Sequence, residues 1–479
     1  MVSKIRKASE KGGLLMKALL HRILAMGLAL FLIAPCVLTY GKDQVARLTL
    51  DQAIKEAITN NRLIREAEEQ ERVAIQLEKK ARADFFPKLS TSYTYSHLRN
   101  NPYAYFTTQK PVPGGPMGIT FVPKRSKLTV GPKDNITWNF DITQPLFTGF
   151  ALTTKRKLAA LDIDLKQVVK RQAILDVIKK VKVSYLNILL AKRAVEVADE
   201  EVNQLEGHVH DAKQLHKQGV IPYNDLLKSQ VALAQARQNR VKALSNLDVA
   251  ISVLNSLLNR HITTKTEVTE LPAFNPSSYE LSSLLQKAMR DRPELRQLEI
   301  AVKQADMAVR LAKSAYYPQV FLNGRYERNG ENWQASENHY NNDHNSIVSL
   351  QLTWSLFQWG KRRADVYAAL HKKRALLEKI EGIKQSIMLE VKQAYQDLEV
   401  AQENIHTAIE ALEQAKENYR ITDLQYKEGI TTSTEVLDAR AFLTQAEFNY
   451  HRALYGYRIA KAELERAIGT EGDLANAKF

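Results

Sequence analysis

The sequence predicts an α+β membrane protein in which long coiled-coil helical hairpins build a tube and a few β-strands per chain contribute to a barrel shared between copies. Three observations predict it. The chain is an internal duplication, it alternates apolar and polar residues over short segments at matching places in each half, and it carries uninterrupted helical patterns of nearly seventy residues.

The duplication comes first. Residues 48–95 align without gaps to 279–326 at an offset of 231, pairing Leu50 with Leu281, Ala57 with Ala288, Pro87 with Pro318 and Tyr95 with Tyr326. Residues 142–259 align to 352–469 at an offset of 210, pairing Leu146-Phe147 with Leu356-Phe357, Tyr185 with Tyr395, and Gly219 with Gly429. This divides the chain into a first repeat, 41–270, a second repeat, 271–470, and a short tail, 471–479. In each repeat a helix of about thirty residues (Leu50–Asp84; Leu281–Ala315) is ended by proline. Two strands follow, 88–98 and 135–146 in the first repeat and 319–328 and 347–357 in the second. Long helical hairpins, 151–258 and 361–468, complete the repeats. The two offsets differ, so the first copy has the longer insert between the aligned blocks, near 99–134; it is rich in proline and glycine, and a mobile surface loop is expected there. No Gly-Lys-Ser/Thr follows it, which removes the phosphate-loop reading.

The strands read as a membrane wall. Ile136, Trp138, Phe140 and Ile142 take one face of the second segment, with Asn135, Thr137, Asn139 and Asp141 on the other; Val348, Leu350, Leu352, Trp354 and Leu356 oppose Ser349, Gln351, Thr353 and Ser355. A half-buried soluble sheet shows the same period. The length, near the roughly 9–11 residues of a membrane strand, and the small, uncharged character of the polar face favour a barrel. Four strands cannot close one, and lipid tolerates no open edge, so several chains must pool strands.

The helices read as a tube wall. The 68 residues from Ala151 to Gln218 would span about 100 Å as a helix. A heptad runs through them, with Ile174, Val181, Ile188, Val195, Val202 and Val209 on one seam position and small residues such as Ser184, Ala191 and Ala198 on the other; Val391, Leu398, Ile405, Leu412, Tyr419 and Tyr426 repeat it. A filamentous scaffold or an ordinary hairpin has such seams too, and it is attachment to barrel strands that favours the tube. Each long helix stops at a glycine turn, Gln218-Gly219-Val220-Ile221-Pro222 and Glu428-Gly429-Ile430-Thr431-Thr432, which suits the left-handed helix-stop position. The apolar turn residues suggest a docking end.

Composition sets the remaining bounds. Net charge is +15, yet charges of both signs alternate along the helices, so solvated faces are expected and a nucleic-acid partner is not. Lys17 and Arg22 precede an apolar run from Ile23 to Leu38 interrupted by Pro35, which reads as a signal peptide over 1–40, with Met16 an alternative start. The single cysteine, Cys36, leaves with that segment or, reading Ile33-Ala34-Pro35-Cys36 as a degenerate lipobox, becomes a lipidated N-terminus. His208, His210 and His216 cluster near the first tip but share no helical face, so exposed histidines are expected and no metal site. No nucleophile–base set, phosphate loop or required carboxylate pair stands out, so neither an enzyme nor a cofactor is expected.

Taken in order, several motifs resemble the TolC-like outer-membrane factor family over about residues 47–470. They are Leu50-Asp51-Gln52-Ala53 with Ala57, Phe86-Pro87, Tyr317-Pro318, Gln144-Pro145-Leu146-Phe147-Thr148-Gly149, Tyr426-Lys427-Glu428-Gly429, and Glu435-Val436-Leu437-Asp438-Ala439. The resemblance implies a homotrimer with a twelve-strand outer-membrane barrel and a periplasmic helical tunnel. It implies a passive exit duct for an efflux or type I secretion system, working with a periplasmic adaptor and an inner-membrane pump of the RND or ABC class. It places acidic gate rings at Glu435 and Asp438, gate-closing links at Tyr426 and Asp225, and adaptor docking at Gly219, Val220, Ile221, Gly429, Ile430 and Thr431. Thr431 stands where a well-known member has arginine. A periplasmic coiled-coil adaptor or scaffold is the competing reading, and the duplicated strand pairs argue against it.

Overall fold

A computed structural model of the chain describes residues 47–115, 118–272 and 279–470, all within one compact unit that begins at Arg47. The expected signal segment with Cys36, and the tail 471–479, lie outside the described residues.

The two repeats fold alike. Helices α1 (Leu50–Asn60) and α2 (Arg62–Ala83) in the first correspond to α5 (Leu281–Asp291) and α6 (Pro293–Ser314) in the second. The expectation of one helix of about thirty residues is corrected here, because each copy breaks after eleven residues. At Asn61 the backbone turns extended and the side chain accepts from the Leu63 amide, capping the next helix. At Arg292 the break is dictated by Pro293, which forces the residue before it out of the helical region. The long helices are α3 (Ala151–Lys217) and α4 (Tyr223–Leu257), then α7 (Lys361–Lys427) and α8 (Ser433–Ala467), with identical lengths in both copies. A parallel bridge between β1 (Arg47–Leu48) and β6 (Glu267–Val268) ties the start of the first repeat to its end, and the single proton of the Tyr185 hydroxyl is shared between the Leu48 and Thr269 carbonyls beside it.

Strands β2 (Lys88–His97), β5 (Asp134–Phe147), β7 (Gln319–Gly330) and β8 (His344–Thr353) form one antiparallel sheet in that order. β8 starts earlier than expected and stops at Thr353. Its ladder runs out there because Thr353 already pairs with Gln319, and the residue before that is Pro318, which has no N–H. The insert is not a loop. β3 (Tyr103–Pro113) and β4 (Ile119–Thr129) pair over their full length as a separate hairpin, beyond which the Gly114 amide donates to the Gly118 carbonyl.

Register sorts the four-stranded sheet into two unlike faces. Leu89, Tyr93 and Tyr95 pair with Ile142, Trp138 and Ile136, while Leu322 and Val320 pair with Leu350 and Leu352; together they make one apolar face. Most of it is exposed, with Leu89 at 64 % and Val348 at 79 %. Ser90, Ser92, Asn139, Asp141, Asn323, Arg325, Ser349 and Gln351 make the other face. That polar face is not uncharged as expected, since Arg325 Nε donates to Asp141 across it at 2.6 Å. Aromatic rings stand at both ends of the apolar face: Tyr93, Tyr95, Trp138, Tyr326 and Trp333 at the end away from the helices, and Tyr316, Tyr317, Phe147, Phe150, Trp354 and Phe357 at the helical end. An apolar band between two aromatic girdles is the pattern of a strand wall facing lipid.

Helices and sheet join at Gly149, whose positive φ of 61° reverses the chain. A Cβ there would lie 2.5 Å from the Ser314 carbonyl and 2.8 Å from the Tyr317 side chain, so the turn requires glycine.

Candidate functional site at the helical tips

The end of the hairpins farthest from the sheet gathers most of the residues singled out in the sequence. α3 and α7 each close with glycine at positive φ, Gly219 at 77° and Gly429 at 71°. The Val220 amide reaches back to the Leu215 carbonyl at 2.9 Å and the Ile430 amide to Gln425 at 2.8 Å, the six-to-one bond of a Schellman stop. Satisfying the carbonyls this way frees the next side chains, so Val220 and Ile430 project with 53 % and 74 % exposure, while Ile221 and Thr431 are half-buried.

The return helices start differently. α4 begins after Pro222 with Asp225 in its first turn. α8 begins after Thr432, whose hydroxyl accepts from the Glu435 amide. Val436, Ala439, Leu443 and Ala446 turn inward, which leaves Glu435, Asp438, Phe442 and Gln445 as an exposed stripe. Glu435 corresponds to Asp225 in the first repeat, but Asp438 corresponds to Lys228, so only the second copy presents two acids. Both acids also suit the positive end of a helix dipole.

Behind the stripe lies a polar core that sequence reasoning missed. His208, expected to be exposed, is 5 % exposed: its ring lies 4.8 Å from that of Tyr426, and its Nε2 is 2.9 Å from Ser433 Oγ. Ser433 Oγ is 3.0 Å from Ser229 Oγ, which donates to the Asp225 carbonyl at 2.9 Å. Only one ordering satisfies all three contacts. His208 Nε2–H donates to Ser433, Ser433 to Ser229, and Ser229 to Asp225, leaving His208 Nδ1 buried and without a partner. The chain of bonds crosses from α3 to α8 to α4, so it ties one hairpin to the other. Burial pushes the His208 ring below its ordinary pKa; Asp423 and Asp211 oppose that and Lys427 adds to it. The spacing of Val202, Leu205, His208 and Ala212 was the legible signal, because all four are buried while the heptad residue Val209 stands at the edge. The seam turns there because α3 meets two partners at once, α4 at Ala236 and α8 at Leu437.

His216 is half-buried against the Ile221 carbonyl, and His210 is exposed. Among the described residues no three His, Cys, Asp or Glu side chains are grouped to hold a metal ion. Tyr426 is 1 % exposed, and burial raises its hydroxyl above the ordinary value, with the Asp225 charge adding to it; no hydrogen bond joins the Tyr426 hydroxyl to Asp225. Farther from the turns, Arg440 is 2 % exposed, 3.9 Å from Glu447 and stacked over Tyr419; burial raises the Glu447 and Glu201 carboxyls above their ordinary values while Arg440 opposes it.

This fold has known counterparts. The chain matches the family described as "Outer membrane efflux protein" over residues 53–260 and 284–470.

The chain belongs to the outer membrane efflux protein family.

It is therefore an outer-membrane protein of the TolC-like group. It is 27 % identical over 202 residues to protein CyaE of Bordetella pertussis, an alignment covering 42 % of each chain. It is 20 % identical over 334 residues to outer membrane protein TolC of Escherichia coli, covering 67 % of this chain and 66 % of that one. The chain thus aligns with less than two thirds of the length of either. A solved structure of CusC superposes with a TM-score of 0.68 at 17 % identity, covering 88 % of this chain and 92 % of the other; the outer-membrane channel OprN gives 0.69 at 18 %, covering 88 % and 89 %. Among the described residues no helix is long and apolar enough to cross a membrane.

Proposed function

We propose that the protein is the outer-membrane exit channel of a tripartite efflux or type I secretion system. Three copies pool their four-stranded sheets into a twelve-strand barrel, and their long helices form a periplasmic tunnel. The observation that carries this reading is a lipid-suited sheet face with unpaired edges at β2 and β8, joined directly to helices of 67 residues. In lipid, an open edge leaves backbone groups without partners, so neighbouring copies must supply them. The protein does no chemistry on its cargo. An inner-membrane pump of the RND or ABC class supplies the energy, and a periplasmic adaptor docks on the exposed turns at Gly219, Val220, Ile221, Gly429, Ile430 and Thr431.

The gate lies at the tips. Threefold symmetry makes rings of Glu435 and Asp438, a local negative field that favours cations. Tyr426 and Asp225, with the His208–Ser433–Ser229 chain beside them, hold the two hairpins together in the closed form. In planar lipid bilayers the purified protein is expected to give small, cation-preferring conductance steps, and Glu435→Gln/Asp438→Asn is expected to lower that preference several-fold. Unaltered selectivity in the variant would place the constriction elsewhere. Failure of well-folded trimers to insert would return the scaffold reading.

A further inference from the structure

The β3–β4 hairpin has no counterpart among the described residues of the second repeat and stands apart from the four-stranded sheet. Between Leu98 and Lys133 the sequence holds Arg99, Lys110, Lys124, Arg125, Lys127 and Lys133 and not one acid. Register concentrates four of these cations. Lys127 pairs with Tyr105, Arg125 with Thr107, Lys124 with Thr108 and Lys110 with Val122, which makes a basic belt around the middle of the hairpin. Tyr105 and Tyr103 lie under two of them, with Arg125 4.3 Å from the Tyr105 ring and Lys127 3.9 Å from that of Tyr103. Beyond the belt the end of the hairpin is apolar. Ile119 is 69 % and Phe121 58 % exposed, and Val112 and Val122 stand out beside them. The hairpin continues the ladder of β2 and β5 at the end away from the helices, where the Leu98 amide donates to the Lys133 carbonyl. In the channel reading, on which this inference rests, that end is the outer rim of the barrel.

We propose that this hairpin is an anchor that lies on the anionic outer leaflet around the barrel, its belt against lipid phosphates and its apolar end among the acyl chains. An apolar tip, interfacial tyrosines and a basic belt are the groups that such a surface rewards together. A cap made from the hairpins of neighbouring copies is disfavoured because it would bring like charges together. The acidic 331–343 connection of a neighbour is a weaker match. It holds Glu331, Glu337 and Asp343, two of which already contact His339 and His344, and it gives the apolar tip nothing to bury against.

The test uses the full chain carrying Phe121→Cys, labelled with an environment-sensitive fluorophore. It is reconstituted in vesicles of phosphatidylcholine alone or of phosphatidylcholine with lipid A. Ion flux through the same vesicles reports whether the channel has inserted. The proposal expects a blue shift and quenching by lipid-phase quenchers in the lipid A vesicles only. Most of both should be lost at about 1 M salt, where the screening length is about 3 Å, and in Lys110→Gln/Lys124→Gln/Arg125→Gln/Lys127→Gln. Water-like emission in conducting vesicles of both kinds would overturn it. So would a shift that persists in neutral vesicles and is lost in Glu331→Gln/Glu337→Gln/Asp343→Asn, since the occupant would then be a neighbouring copy. Vesicles that never conduct would overturn the placement at the rim together with the channel reading.

Discussion

Replacing Arg466 with alanine is expected to destabilise the helical body by about 3 kcal/mol, the low end of the range for breaking a buried ion pair. Arg466 is 8 % exposed and donates to Asp176 at 2.5 Å and to Glu294 at 2.7 Å. Arg292, 5 % exposed, donates to Glu294 and, at 2.6 Å, to Glu390. One network thus ties α8 to α3, α6 and α7 where the short helices meet the long ones. The low end applies because the Asp176 side chain stays 39 % exposed and water offsets part of its loss. Arg466→Lys keeps the charge but loses the two-pronged donor, so it should recover only part of the stability. Urea unfolding followed by helical circular dichroism measures this, and a loss below about 0.5 kcal/mol would rank the network with ordinary surface pairs. Burial would raise the Glu294 carboxyl, but the Arg466 hydrogen bond, its own backbone amide and the Arg292 charge outweigh it and hold it below the usual range. Its contribution is therefore complete above the ordinary glutamate value of about 4.3 and is lost as pH falls through the depressed folded value.

Acidification is expected to loosen the tips through His208. A second proton would have to go to Nδ1, which is buried and has no acceptor. The ring's depressed pKa means that its contribution is complete above the ordinary histidine value of about 6.5 and is lost as pH falls below it. The groups facing it are Asp211 on its own helix, Asp423, Tyr426 and Lys427 on α7, Ser433 on α8, and Ser229 and Asp225 on α4. Hydrogen exchange over residues 205–225 and 420–440, corrected for intrinsic chemistry, should quicken on acidification by at most about tenfold per pH unit, the limit for one proton. His208→Gln offers a neutral donor and should remove the effect. Glu201 and Glu447 act with the opposite sign, because their raised pKa values add stability as pH falls. Exchange that still quickens equally in His208→Gln would assign the response to another group.

Repetition made the architecture legible. Matching prolines, glycines and tyrosines in two registers made the order of helices, strands and hairpins readable, because periodic elements write their period into the sequence. What escaped was set by tertiary contact. The β3–β4 hairpin alternates weakly, and its prolines and glycines read as a loop until the two strands are seen paired. The breaks at Asn61 and Arg292 interrupt helical patterns whose apolar residues stay in phase. His208 looked like a solvated residue because its partners, Ser229 and Ser433, lie 21 and 225 positions away and carry no motif. The acids at 435 and 438 were readable from the family resemblance. Their exposed stripe emerged only once the inward residues of α8 were known.

In the channel proposed above the aperture sits where the two hairpins of each chain meet, and Ser229 and Ser433 allow it to be locked. Their hydroxyl oxygens are 3.0 Å apart, close enough for Ser229→Cys/Ser433→Cys to form a disulfide of about 2.05 Å with little movement. The measurement is single-channel conductance of this variant under oxidising and then reducing conditions. The oxidised protein is expected to be held at its smallest conductance without transitions to larger levels, and reductant is expected to restore them. The same steps before and after reduction would contradict a gate at the tips.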